Sequence, residues 1–259
     1  MNDTNQFELT VGLYSFPKSG NTWLRAIIAG ITEMPQGPGI LQRFVTDTHY
    51  GKVKEDPWYF QGKDWYFYKS HWKDEMTEDG GGKFATDKII YIYRHPLDVF
   101  LSYLNFVSRN VAANAGKNLP IQFDSVEDLK PEEMEQLFQI FLEHQTLFPQ
   151  NRKFGGLFEH IDLAKEREAA GESIKIIRYE DLQDNFTSTV EDICSFLGME
   201  GIQVEKVFEK ADQRTQQNGK FFWKRQKNNY LNYLTKDQLD RFYEAHGEKM
   251  TSYGYPRED

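Results

Sequence analysis

The sequence predicts an α/β fold, with a central parallel β-sheet flanked by helices on both faces in one domain that spans residues 1–259. Short strand-like runs alternate with helical patterns, which is typical of a parallel sheet. Residues 89–93 are apolar throughout, as expected for a strand that is covered on both faces. The first strand-like run leads through a Gly-containing turn into an apolar helical pattern, which predicts a P-loop-like anion site.

The strand and helix patterns can be placed in order along the chain. The strand-like runs are Leu9–Phe16, Trp65–Lys69, Lys88–Tyr93 and Ile174–Arg178. Helical patterns follow three of these runs, at Thr22–Thr32, Pro96–Arg109 and Thr187–Leu197. Pro at the start of the second helix and Gly198 just after the third suit a first turn and a C-terminal cap.

Further apolar periodicities predict helices at Pro131–Phe148, Leu157–Ala170, Val204–Ala211 and Lys236–Met250. The Gly-rich or irregular stretches Pro35–Gly39, Thr77–Thr86 and Ala112–Phe123 are predicted to be loops.

Composition restricts the classes of protein to which the chain can belong. A chain of 259 residues with 39% hydrophobic residues can form a sizeable core, and its net charge of −9 argues against general nucleic-acid binding. The one cysteine, Cys194, cannot form an internal disulfide, and the six histidines show no metal-ligand spacing, so no metal is expected. The polar N-terminus and the absence of an apolar run of about 18 residues predict a soluble, cytoplasmic protein without a membrane span.

The turn after the first strand carries an unusual number of polar groups, namely Lys18, Ser19, Gly20, Asn21 and Thr22. Free N–H groups and the positive end of the helix dipole would point at this turn, and lysine adds a full charge. The ligand is therefore predicted to resemble phosphate. The lysine precedes the glycine, which differs from the order G-x-x-x-x-G-K-[ST] of a P-loop. A strand-to-helix turn that uses glycine as punctuation is the structural alternative.

A second cluster follows the strand at residues 88–93 and contains Arg94, Asp98 and Ser102. Ligands bind at the carboxyl ends of strands in open α/β sheets, and arginine suits phosphate oxygens. The alternative is a helix that starts at proline beside a surface Arg–Asp pair.

A third cluster, Lys69-Ser70-His71, also follows a strand. Neutral imidazole can accept a proton near pH 7, which suits a general base. A histidine with a purely structural role is the alternative.

Two further segments are candidates for ligand binding. Tyr179 follows the strand at residues 174–178 and could face a ligand ring, although a solvent-facing charged loop would look similar. Residues 220–227 interleave basic and aromatic residues, which suits a phosphorylated nucleotide or a nucleic acid. The acidic remainder of the chain favours the smaller ligand.

Taken in order, these motifs resemble those of the cytosolic-type sulfotransferases that use 3′-phosphoadenylyl sulfate (PAPS). Residues 16–23, Phe-Pro-Lys-Ser-Gly-Asn-Thr-Trp, are similar to the family's Tyr-Pro-Lys-Ser-Gly-Thr-Thr-Trp loop, with Asn21 in place of Thr. The family's Arg-x-Pro-x-Asp-x-x-x-Ser, Lys-[Thr/Ser]-His and Tyr-Glu-Asp-Leu segments match residues 94–102, 69–71 and 179–182. A looser match at residues 222–232 keeps Lys224, while Arg225 replaces a Gly.

The resemblance implies a role for each matched residue. The loop at residues 18–22 would hold the 5′-phosphosulfate, with Lys18 at the oxygen that bridges phosphate and sulfate. His71 would be the catalytic base, and Lys69 would support the transferring group. The remaining matches imply contacts with adenine by Trp23 and Tyr179, and with the 3′-phosphate by Arg94, Ser102, Lys224 and Arg225. Ser102 would also influence the engagement of Lys18.

The resemblance therefore implies transfer of a sulfuryl group from PAPS to a small-molecule hydroxyl, leaving adenosine 3′,5′-bisphosphate (PAP). The alternatives are a P-loop kinase, which would need Mg²⁺, and a nucleotide-binding module without catalysis. The acceptor is left open between an alcohol, a phenol and, as a weaker alternative, an amine, although a small lipophilic alcohol or phenol suits the fold by analogy. The aromatic residues of segments 58–65 and 106–148 fit either an acceptor pocket or the core. The oligomeric state is open, with a homodimer as one option.

Overall fold

A computed structural model describes residues 9–37, 39–48, 57–73, 76, 86–112, 115–216 and 226–257. Within them the chain forms two compact units. The first unit comprises residues 1–94 and 160–219, and the second comprises residues 95–159 and 220–259.

The described part of the chain contains a six-stranded sheet, which lies in the first unit. Its strands are β1 (Leu9–Tyr14), β2 (Val45–Asp47), β3 (Trp58–Phe60), β4 (Lys63–Ser70), β5 (Lys88–Tyr93) and β6 (Ile174–Arg178). The order is β2-β4-β1-β5-β6 with all neighbours parallel, and β3 pairs antiparallel with β4. The predicted parallel sheet is therefore confirmed, and the carboxyl ends of its strands meet at one edge.

The α-helices of the described part follow in chain order. They are α1 (Asn21–Ile31), α2 (Ile40–Phe44), α3 (Pro96–Val107), α4 (Arg109–Ala112), α5 (Pro131–His144), α6 (Leu157–Ala169), α7 (Tyr179–Asp184), α8 (Phe186–Leu197), α9 (Val204–Gln216) and α10 (Lys236–Ser252).

Alternate residues of the central strands face two different environments. The aliphatic face of the sheet carries Val11, Leu13, Ile90 and Ile92, which are buried in one cluster with residues of α1, α8 and α9. Side chains alternate across a strand, so the intervening residues face the other way. This second side, the tyrosine face, carries Tyr14, Tyr66, Tyr68 and Tyr91, all buried.

Hydroxyl groups on the tyrosine face are paired by hydrogen bonds. The Tyr14 and Tyr68 hydroxyls lie 2.9 Å apart, and Tyr68 also lies 2.6 Å from the Thr86 hydroxyl. The Tyr91 hydroxyl lies 3.0 Å from Nδ1 of His160, a residue of α6. These pairings satisfy polar groups that burial would otherwise leave unpaired. Helix α6 thus contacts the tyrosine face, while α1, α8 and α9 pack on the aliphatic face. Helices therefore cover both faces of the sheet, as the sequence predicts.

In the second unit, His95 caps the N-terminus of α3, and its ring accepts a hydrogen bond from the Leu97 N–H group. The buried rings of Phe100, Phe138, Phe141 and Phe242 form its aromatic core. Asp98, also buried, accepts hydrogen bonds from two backbone N–H groups, those of residues 228 and 230. This carboxylate therefore anchors a loop and is not half of the surface ion pair considered as an alternative.

The four predicted strands and seven predicted helices are all present, with differences at their ends. The predicted helix Pro96–Arg109 ends at Val107, because Ser108 is extended and a short helix follows. The predicted helix Pro131–Phe148 ends at His144, where Gln145 adopts a left-handed conformation. The sequence patterns do not predict the short elements β2, β3, α2 and α7, which have three to six residues. The predicted loop Thr77–Thr86 lies outside the described residues except for Thr86.

Gly12 lies on the tyrosine face, where a Cβ atom would stand 2.5 Å from Cε2 of Tyr14 and 2.6 Å from the Tyr68 hydroxyl oxygen. We predict that Gly12→Ala lowers the free energy of unfolding by about 1 to 3 kcal/mol, because both rings are buried and cannot move away. Gly247→Ala is the control, since a Cβ there meets nothing within 4 Å and helix propensity adds up to about 1 kcal/mol. Urea denaturation of both variants measures the difference, and equal stabilities would contradict the packing argument.

Candidate active site

The loop between β1 and α1 has the backbone of a tight anion-binding turn. Gly20 caps α1 with φ of 107°, and a Cβ there would lie 2.6 Å from the Tyr179 ring. Lys18 also adopts a positive φ, of 71°. The chain turns sharply enough for α1 to begin at Asn21, directly beyond the carboxyl end of β1. The N-terminal N–H groups of α1 therefore face the loop.

Two side chains of this loop bury polar oxygens that have no hydrogen-bond partner within the described residues. Ser19 is fully buried, and its Oγ atom is one of these oxygens. Asn21 donates from Nδ2 to the Leu13 carbonyl oxygen at 3.0 Å, while its Oδ1 atom is the other. Burying an unpaired polar atom costs about 1 to 3 kcal/mol, and a ligand oxygen that accepts from the Ser19 hydroxyl would offset this cost. Thr22, in contrast, is half-buried and lies 3.4 Å from the Arg25 guanidinium.

Positive charges are concentrated around the loop. Burial and, to a smaller extent, the charges of Arg94 and Lys69 lower the pKa of Lys18 to about 7. Arg94 is itself buried and follows β5, the strand beside β1. The first unit thus places Arg94 and Lys69 close enough to Lys18 to disfavour its positive charge, which an anionic ligand would stabilise.

Lys69 at the end of β4 forms an ion pair with Asp47 at the end of β2, with 2.9 Å between Nζ and Oδ2. The pKa of Lys69 is lowered to about 8, because burial and the charge of Arg25 outweigh Asp47, which raises it. Asp47 is absent from the sequence prediction. Only its position, at the end of a three-residue strand, distinguishes it from other acidic residues.

His71 lies just beyond β4 and is half-buried. Its Nδ1 atom is 2.8 Å from the Ser15 carbonyl oxygen and 3.2 Å from Ser15 Oγ. A carbonyl oxygen can only accept a hydrogen bond, so Nδ1 carries the proton and Nε2 becomes the nitrogen that can accept one. The sequence prediction singled out His71 but not Ser15, which orients it.

Aromatic rings line the other side of the loop within the first unit. The Arg94 guanidinium lies 4.5 Å from the ring centroid of Tyr179, which is buried at the start of α7. Trp23 packs edge-on against Tyr179 at 5.2 Å and stacks with Phe186 at 6.3 Å. Tyr179 is therefore not part of a solvent-facing loop, which was the alternative for its segment.

Three predicted site residues lie in the second unit or outside the described residues. Ser102 is half-buried on α3, in the second unit. Lys224 and Arg225 lie outside the described residues, as does most of the basic segment at residues 220–227. Their predicted roles stay predictions.

The aromatic residues that could have lined an acceptor pocket are divided between core and surface. Trp65 and Phe141 are fully buried, while Tyr59 is 68% exposed. Trp58 packs against Phe44 at 4.8 Å and donates from its ring nitrogen to the Thr32 carbonyl oxygen. These contacts agree with a core role for most of them.

Two features are absent from the described residues. No helix there is long and apolar enough to cross a membrane. Within the same residues, no group of three or more His, Cys, Asp or Glu side chains is arranged to hold a metal ion.

Comparison with known proteins adds to this geometry. The family model described as "Sulfotransferase domain" matches residues 10–254. The 3-alpha-hydroxysteroid and 3-beta-hydroxysteroid sulfotransferases of Cavia porcellus are 29% identical over 195 residues and 28% identical over 192 residues. Each match covers 71% of this chain but 57% of the relative, so the chain spans little more than half the length of these relatives.

Solved structures share the fold. The mouse sulfotransferase SULT7A1 complexed with PAP matches with a TM-score of 0.63 and 20% identity, over 95% of this chain and 85% of that chain. A retinol dehydratase complexed with androsterone and PAP matches with a TM-score of 0.58 and 13% identity, over 93% and 80% of the two chains.

The pKa of about 7 for Lys18 predicts that anion binding at the loop takes up a proton. An anion against Lys18 raises its pKa, so binding favours the protonated lysine and weakens as pH rises above 7. We expect the Kd of PAP to increase by up to about tenfold per pH unit between pH 7 and 9. The phosphates of PAP titrate near pH 6, below this range.

Calorimetry of PAP binding in two buffers of different ionisation enthalpy measures this proton uptake. Lys18→Met should bind PAP more weakly at pH 7 and lose most of the pH dependence, whereas Lys236→Met, on the exposed start of α10, should behave as wild type. A Kd that stays constant from pH 7 to 9 without proton uptake would contradict the assignment.

Proposed function

The chain belongs to the sulfotransferase domain family, and from this membership we propose that it transfers a sulfuryl group from PAPS to a hydroxyl group of a small-molecule acceptor. The observation that supports this proposal most is the neighbourhood of an anion-binding loop and an oriented imidazole at adjacent strand ends. His71 hydrogen-bonds to Ser15, only three residues before Lys18. A proton acceptor beside a cationic anion site is what the transfer requires.

The loop residues fit a phosphosulfate. PAPS, when bound, supplies an activated sulfuryl group on a phosphate leaving group. Ser19 has a buried oxygen that needs a partner, and the helix N-terminus of α1 favours anionic oxygens. We assign Lys18 to stabilise the negative charge that develops on the leaving phosphate oxygen, with Gly20, Asn21 and Thr22 completing the loop.

His71 acts in this proposal as the general base. Its Nε2 atom takes the proton of the acceptor hydroxyl while the oxygen attacks sulfur in line. The hydrogen bond from Nδ1 to Ser15 keeps the ring in the required tautomer. General-base catalysis of this kind contributes roughly 10²- to 10⁴-fold to a rate.

Lys69 supports the transferring group with its positive charge. Burial would otherwise favour its neutral form, and the ion pair with Asp47 counteracts this effect. We therefore include Asp47 in the catalytic machinery as the residue that keeps Lys69 charged.

The nucleotide end of the donor fits the aromatic cluster and Arg94. We propose that adenine packs against Trp23 and Tyr179, and that Arg94 binds the 3′-phosphate through its guanidinium. The contributions of Ser102, Lys224 and Arg225 to that phosphate, which the family resemblance implies, are part of the same proposal.

The names of the curated relatives suggest the class of acceptor. Two of them are hydroxysteroid sulfotransferases, so we propose a lipophilic alcohol or phenol, with hydroxysteroids as the first candidates. One domain over residues 1–259, a cytoplasmic location and a homodimer complete the proposal. The family model supports the first of these because it spans residues of both units.

Replacing His71 with Ala should lower kcat for sulfuryl transfer by 10²-fold or more, because nothing else at this position accepts the acceptor's proton. The Kd of PAP should remain close to wild type, since the loop at residues 18–22 is unchanged. Steady-state kinetics and calorimetry measure the two quantities. His144→Ala, at an exposed position at the end of α5, is the control and should change neither. Wild-type turnover in the His71 variant would remove the base assignment.

Replacing Asp47 with Asn should shift the alkaline limb of the kcat/KM profile to lower pH. Asp47 raises the pKa of Lys69, which is about 8 in its presence, so the variant loses the lysine proton earlier as pH rises. The control is Asp192→Asn, which breaks the more exposed Lys175–Asp192 pair of 2.8 Å and should leave the profile unchanged. Identical profiles for the Asp47 variant and the wild type would show that Lys69 is not the titrating group.

A further inference from the structure

His160 is a fully buried histidine of α6 that no predicted site includes. Its Nε2 atom lies 3.2 Å from the backbone carbonyl oxygen of His71. Its Nδ1 atom lies 3.0 Å from the hydroxyl of Tyr91 on β5. All three residues belong to the first unit. A buried histidine therefore contacts the main chain of the proposed base.

The partners of His160 determine its tautomer. The His71 carbonyl oxygen can only accept, so Nε2 of His160 carries the proton and donates it. Nδ1 is then bare and accepts a hydrogen bond from the Tyr91 hydroxyl. With both ring nitrogens engaged, neither a ring flip nor a tautomer change keeps both hydrogen bonds.

The ring of His160 is also held by packing. It stacks on Tyr91 with 5.5 Å between centroids and an interplanar angle of 26°. The Phe16 ring meets it edge-on at 6.1 Å and 87°. Phe16 directly follows Ser15, the residue whose carbonyl oxygen orients His71.

His160 thus contacts both segments that the His71–Ser15 hydrogen bond joins. On one side it binds the main chain of His71, and on the other it packs against the residue after Ser15. The distance between these two segments determines the 2.8 Å hydrogen bond from His71 Nδ1 to Ser15. A histidine that served only the core would not need to donate to this particular carbonyl group.

We propose that His160 is a positioning residue for the reaction: its Nε2–H group holds the His71 main chain so that the His71 ring keeps its Nδ1–H tautomer and its base geometry. The inference rests on the proposed function for its effect on rate. The geometric part concerns the tautomer of His71 and can be measured without turnover.

Two substitutions at His160 distinguish the hydrogen bond donated to the His71 carbonyl oxygen from the mere presence of a polar side chain. The amide nitrogen of Gln can reach the position of Nε2, whereas that of Asn reaches only the position of Nδ1. We expect His160→Asn to lower kcat on the order of 10²-fold, since small misplacements of a catalytic group have effects of that size. His160→Gln should recover most of this loss, and both variants should keep the wild-type Kd for PAP and a similar KM for the acceptor.

The imidazole ¹⁵N resonances of His71 provide the readout that does not depend on activity. The wild type should show the Nδ1–H tautomer, and His160→Asn should show a mixture of tautomers. Tyr91→Phe removes the hydroxyl group that bonds Nδ1 of His160 and keeps the ring, so it loosens the hold on the same histidine with less risk to folding. It should produce the same changes in kcat and ¹⁵N shift, but smaller ones.

A matched control comes from His246 of α10, which donates from Nε2 to the Leu142 carbonyl oxygen at 2.8 Å. His246→Asn removes a comparable hydrogen bond outside the proposed site, so it should lower the melting temperature without changing kcat.

Three results would overturn the inference. They are wild-type kcat in His160→Asn, a Gln variant as impaired as the Asn variant, and ¹⁵N spectra of His71 that are the same in the wild type and His160→Asn. If the Asn variant does not fold, unchanged kcat and ¹⁵N shifts in Tyr91→Phe overturn it equally. If the folded wild type transfers no sulfate, the proposed function fails, while the ¹⁵N comparison still decides the role of His160.

Discussion

The burial of positive charge at the carboxyl edge of the sheet is the constraint on which the proposed site depends. Lys18, Lys69 and Arg94 follow three adjacent strands, and burial together with the charges of Arg94 and Lys69 lowers the pKa of Lys18. Such an arrangement is unfavourable by itself, because desolvated cations repel. It becomes favourable when a multiply charged anion binds, and the unpaired Ser19 hydroxyl, which can donate a hydrogen bond, fits the same ligand. The same buried positive charges that are unfavourable without a ligand would therefore provide the binding energy for an anion in the proposed site.

The two faces of the sheet divide stability from chemistry. The aliphatic face buries Val11, Leu13, Ile90 and Ile92 under α1, α8 and α9, and this packing fixes the strand ends relative to one another. The tyrosine face instead carries hydroxyl groups that hydrogen-bond to threonine and histidine side chains. Through His160, this polar layer reaches the main chain beside the proposed base. Hydrogen bonds from the tyrosine face can therefore position a site residue, whereas aliphatic side chains have no groups that form hydrogen bonds.

Local patterns account for what could be predicted from the sequence. The strand, turn and helix around Lys18 follow from a contrast of apolar and polar residues within about 20 positions, and His71 and Arg94 were found because each follows a strand pattern. The partners that tune these residues are distant along the chain. Asp47 lies 22 residues from Lys69, and His160 lies 89 residues from His71. Such pairings depend on strand order and on which face a helix covers, and periodicity encodes neither.

The proposed activity can be tested by a transfer assay with ³⁵S-labelled PAPS and a panel of hydroxysteroids, aliphatic alcohols and phenols, run beside γ-³²P-labelled ATP with Mg²⁺. We expect a ³⁵S-labelled product with at least one acceptor and no ³²P-labelled product. Transfer of the γ-phosphoryl group, or the absence of any sulfated product from an enzyme that binds PAP, would contradict the assignment of the chain as a PAPS-dependent transferase.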